Sequence, residues 1–112
     1  MSPDLATMIG HVAALREVSA SSTATEALLA RIEDRLTDGY AWALNGDAWS
    51  MRFEQRLYEL GSNTLVSDDC DYRGLAREHV RFRRELAALR RELAALRREH
   101  DRLLADWRGS SG

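Results

Sequence analysis

Apolar residues and two histidines return at alternate steps of four and three along the second half of the chain: Leu75, His79, Phe82, Leu86, Leu89, Leu93, Leu96, His100, Leu103 and Trp107. A seven-residue beat of this kind makes a helix bury one narrow stripe against another helix. The block Arg84-Glu-Leu-Ala-Ala-Leu-Arg90 recurs directly as Arg91-Glu-Leu-Ala-Ala-Leu-Arg97. The pattern therefore predicts a heptad helix over about 72–107.

Earlier elements follow from local signals. Ser2-Pro3-Asp4 reads as an N-cap, a proline at the first helical position and an acid in the first turn, which predicts a helix over about 3–18 with Leu5, Met8, Val12 and Leu15 as its stripe. Ser19-Ala-Ser-Ser22 reads as a linker. Thr23 with Glu26 three residues on is a capping-box signature, and it predicts a second helix over about 24–60. Gly39 and Gly46 are its weak points, each costing about 1 kcal/mol relative to Ala inside a helix. The heptad count nevertheless resumes in phase beyond both, through Leu29, Ile32, Leu36, Gly39, Ala43, Gly46, Ser50, Phe53, Leu57 and Leu60.

That seam is bulky at its ends and small in the middle. Folding the second and third helices antiparallel around a tip loop at 61–71 sets Gly39, Ala43, Gly46 and Ser50 opposite Leu96, Leu93, Leu89 and Leu86, large against small. Flanking charges agree with the fold-back: Glu33, Asp47 and Glu54 meet Arg83, Arg90 and Arg97, and Arg35 and Arg56 meet glutamates at 78, 85, 92 and 99. A parallel pair of third helices would satisfy the same charges. The expected fold is all-α: a short N-terminal helix plus a long antiparallel coiled-coil helical hairpin, one domain over 1–112 with a frayed tail at 109–112. Tyr40, Trp42, Leu44, Trp49, Met51 and Tyr58 lie off the seam on several sides. A helix apolar nearly all round is surrounded, so these six form the expected dimer or ligand face, with a homodimer as the assembly.

Composition sharpens this picture in three places. Residues 1–71 hold five Arg against twelve acids and 72–112 hold eleven Arg against six acids, so the net charge of −2 conceals two halves suited to pairing. All 16 basic residues are Arg, which reads as the codon bias of a GC-rich bacterial genome. The one cysteine, Cys70, excludes an intrachain disulfide; with no span of ~20 apolar residues and no signal peptide, the expected location is the cytoplasm.

Candidate chemistry is sparse. His79 and His100 stand three heptads apart, about 31 Å on a straight helix, so they fix register as polar seam residues rather than share a metal. No nucleophile–base spacing and no phosphate-binding glycine loop is present, and neither a catalytic residue, a metal ligand nor a cofactor is expected. The tip, with Leu65, Val66, Asp68, Asp69 and Asp71, is the expected partner-binding surface. In general outline an acidic tip on a long hairpin is similar to the Gre-type factors, whose tip enters the secondary channel of bacterial RNA polymerase and helps hold a catalytic Mg²⁺; the resemblance is one of shape and charge. Arg77, Arg84, Arg91 and Arg98 recur every seven residues as an outward stripe, a possible phosphate grip. Each has a glutamate beside it, so a solvated face is expected and nucleic acid is not. The expected function is that of a non-enzymatic coiled-coil module binding a protein partner as adaptor or regulator, with transcriptional control as the analogous role. The alternatives are a nucleic-acid binder using the Arg stripe and a ligand sensor with a pocket formed by Trp42, Trp49, Tyr40 and Tyr58.

Overall fold

The computed structural model describes residues 4–62 and 69–110. Those residues form three helices and no strand: α1 at Leu5–Ala20, α2 at Glu26–Ser62 and α3 at Asp69–Ser110. They lie side by side in a rod of 70 × 18 × 18 Å. None of them is long and apolar enough to cross a membrane.

Capping accounts for the helix starts. Asp4, not Ser2, caps α1: its Oδ1 accepts from the Thr7 amide at 3.2 Å and its Oδ2 from the Thr7 hydroxyl at 2.6 Å. Residues 1–3, on which the proline signal rests, lie outside the described residues. The Thr7 hydroxyl first, and then its amide, hold the exposed Asp4 carboxyl below the usual carboxylate range. A folded-state pKa below the unfolded one contributes stability above about pH 4 that is lost as the pH falls through the lowered value. The protection factor of the Thr7 amide, its exchange rate relative to the intrinsic rate at each pH, should therefore fall in acid, and Asp4→Asn, which keeps the accepting oxygen without the charge, should remove that pH dependence. Thr25 rather than Thr23 caps α2, its hydroxyl accepting from Leu28 N at 3.1 Å. Glu26 then becomes the first helical residue and cannot close a capping box.

α2 runs unbroken through both central glycines, neither of which has positive φ. They are needed for closeness. A Cβ on Gly39 would overlap the Leu93 side chain, and one on Gly46 would stand 2.9 Å from Leu86 Cδ1. α2 and α3 thus lie antiparallel with small residues against leucines, but one seam position nearer the tip than expected: Gly39 meets Leu93 instead of Leu96, and Gly46 meets Leu86 instead of Leu89. Oppositely directed helices bring the first core position of one heptad level with the fourth of the other, because side chains tilt toward their own N-terminus. The sequence-based pairing had matched like positions. The shift also stacks Phe53 on His79 at 5.3 Å and sets Trp49 against Phe82 at 4.4 Å.

α1 fills the third place along half of this hairpin. Leu5, Met8, Val12 and Leu15 are buried as its stripe, and the beat runs one step further to Ser19, fully buried with its hydroxyl donating to Leu15 O at 2.7 Å. Ser19 is thus core, not linker. Arg16 Nε donates to Glu92 at 2.7 Å, Arg102 to Ser19 O at 3.1 Å, and Arg35 points to Met8 Sδ at 4.0 Å. These contacts occupy the flank where Arg35 had been expected to face glutamate, and they lie along the half of the hairpin remote from 63–68. Ala88 and Ala95, on the same side of α3 as Glu92 and Arg102, are half-buried, whereas Ala87 and Ala94 stay exposed. Trp107, expected on the seam, is 38% exposed.

Candidate interaction surfaces

The hairpin brings Ser50, Glu54 and His79 together, a constellation that no local spacing in the chain announces. Ser50 Oγ lies 3.0 Å from His79 Nε2, and Glu54 Oε1 lies 3.5 Å from the same nitrogen. Both Ser50 and His79 are buried. A serine–histidine–acid relay needs the acid on the opposite ring nitrogen and an accessible hydroxyl. Here the acid approaches the nitrogen that the serine uses, and the hydroxyl faces the seam. The arrangement instead satisfies a buried imidazole and a buried hydroxyl with each other. His100 plays the matching part at the other end, 3.2 Å from Glu33 Oε1 and 3.8 Å from Asp101. Both histidines therefore select the α2 residue they face, and every buried side-chain nitrogen or oxygen among the described residues has a hydrogen-bond partner.

Flanking charges add a second register lock. Arg90 pairs with Asp47, and Arg83 Nη1 lies 3.9 Å from Glu54. Glu33 meets His100 rather than Arg97.

The six residues of the expected dimer or ligand face are placed on two different sides of α2. Trp42 and Trp49 are partly buried against the core, Trp49 lying 4.8 Å from Phe53. Tyr40, Leu44, Met51 and Tyr58 are exposed, at 39%, 69%, 70% and 77%. The two tryptophans and the tyrosines therefore do not line one pocket. Exposed alanines at 41 and 48 and exposed Gln55 stand between Leu44, Met51 and Tyr58. Together they make a second row at three- and four-residue steps on the side of α2 turned away from α3. Its signal was present in the sequence as an alternation of small and large residues out of phase with the main seam, and three of its residues were already in the expected face, but grouping them with Tyr40, Trp42 and Trp49 hid the row.

Beside this row, Arg52, Gln55, Arg56, Glu59 and Leu60 border an open groove of about 600 Å³. The Arg77, Arg84, Arg91 and Arg98 stripe is exposed along the outer face of α3. Of the tip residues, Leu65, Val66 and Asp68 lie outside the described residues, and Asp69 and Asp71 fall in the first turn of α3. No group of three or more His, Cys, Asp or Glu side chains among the described residues is set to hold a metal ion. No protein family, curated protein or solved structure matches this chain.

Proposed function

We propose that the chain is a non-enzymatic coiled-coil interaction module that binds protein partners as an adaptor or regulator. The observation that carries this reading is the row Leu44, Met51 and Tyr58, large side chains at seven-residue intervals, each more than two-thirds exposed. Single exposed hydrophobics are ordinary, but a row with helical period is the recognition face of a helix. The seam supports the same reading from the other side. Its polar groups answer one another across the hairpin, so its histidines and serine serve to hold α2 straight behind the row. Straightness matters, because an already ordered face loses less entropy on binding.

The test is affinity capture from the native host with the wild-type chain and with Leu44→Glu/Met51→Glu side by side. Both residues are exposed, so the variant should keep its helix content and lose the captured proteins. Identical captures from the two would remove the row as the binding surface.

A further inference from the structure

We infer that the row on α2 pairs with the same row of a second copy of this chain, antiparallel and about a two-fold axis, with Tyr58 of each copy seated on Ala48 of the other. The inference rests on the interaction-module reading and names its partner.

Composition of the row decides the direction. One of its two seven-residue sets is small or narrow, Ala41, Ala48 and Gln55; the other is large, Leu44, Met51 and Tyr58. Parallel copies would stack large on large and leave gaps at the alanines. Antiparallel copies can set narrow residues of each against large residues of the other, Tyr58 against Ala48 and Met51 against Gln55, which is how α2 and α3 already pack, Gly39 under Leu93 and Gly46 under Leu86. The symmetry is also the isologous kind that closes a dimer without leading to fibres.

Charge fixes the register. In the hairpin, Gly46 meets Leu86, and the residue after Gly46, Asp47, pairs with the fourth residue after Leu86, Arg90. By the same relation, Tyr58 on Ala48 brings the residue after Tyr58, Glu59, to the fourth residue after Ala48, Arg52. Two-fold symmetry forms this pair twice, and Met51 then rests on Gln55. Arg52 and Glu59 are both exposed, on one edge of the row. On its other edge Glu54 approaches the Glu54 of the second copy, and each carries Arg83 and His79 beside it. In this register Ala48, Met51, Gln55 and Tyr58 of each copy are covered while Leu44 lies beyond the paired layers, so the two copies bury on the order of 800 Å², the size of a weak, transient contact. A reversible dimer follows.

Sedimentation velocity on the purified full chain over a concentration series tests this. The wild type should shift from monomer to dimer as concentration rises, and Met51→Glu should remain monomeric with an unchanged melting curve. Arg52→Glu and Glu59→Arg should each weaken association about 10-fold, and the double variant should recover it. A wild type that is monomeric throughout overturns self-association, and a double variant no tighter than the singles overturns the register. If the wild type is monomeric while Leu44→Glu/Met51→Glu still loses its captured partners, the interaction module stands and only the second copy falls.

Discussion

Leu93→Ala should lower the unfolding free energy by about 2–5 kcal/mol, and in that background Gly39→Ala should change from harmful to helpful. Leu93 is fully buried, and its removal forfeits transfer energy and leaves a cavity that a rigid two-helix seam cannot close. In the wild type, the Cβ of an alanine at 39 would press into the Leu93 side chain, a strain of about 1–3 kcal/mol that outweighs or cancels the ~1 kcal/mol gained from helix propensity. With Leu93 shortened the strain disappears and the propensity remains, so the second substitution should restore about 1 kcal/mol. Urea unfolding of the four members of this cycle measures it. Purely additive effects would mean that Gly39 and Leu93 do not face each other, and a strong coupling between Gly39 and Leu96 instead would restore the register first expected.

His79→Ala should cost about 1–3 kcal/mol for the buried Ser50 hydroxyl left without its partner, and further stability for the lost stacking on Phe53. Replacing both partners, Ser50→Ala with His79→Leu, should recover most of that loss, because a polar pair exchanged for apolar groups of similar shape leaves nothing unsatisfied. The recovered protein has given up a device for choosing register. Thermal melting of the single and double variants separates the two contributions. If Ser50→Ala alone has no effect while His79→Ala is costly, the stacking is the larger part.

Much of this structure was legible in the chain. The heptad count placed Ile32, Leu89, Leu93, Leu96 and Leu103 in the interior before any fold was considered, and all five are fully buried. Burial periodicity is a property of one helix, and one sequence carries it. Register is a property of two. Whether Gly39 meets Leu96 or Leu93 depends on how oppositely tilted side chains interleave, and both choices set glycine against leucine. The caps failed for a similar reason: Thr23 and Thr25 both offer hydroxyls, and which one bonds depends on where the preceding helix leaves the chain. Ser50 and His79 are 29 residues apart and become partners only through the hairpin. The row at 41–58 was the opposite case, present in local spacing but masked by Trp42 and Trp49, which made the helix read as apolar all round.

Because α1 shores up only the half of the hairpin away from residues 63–68, the rod is three helices thick at one end and two at the other. Cooperative units with fewer buried contacts open at lower free energy, so the thin half should breathe while the thick half stays shut. A ligand gripping the thin half would then register as a local gain in protection, leaving the anchored end as an unchanged internal reference within the same molecule.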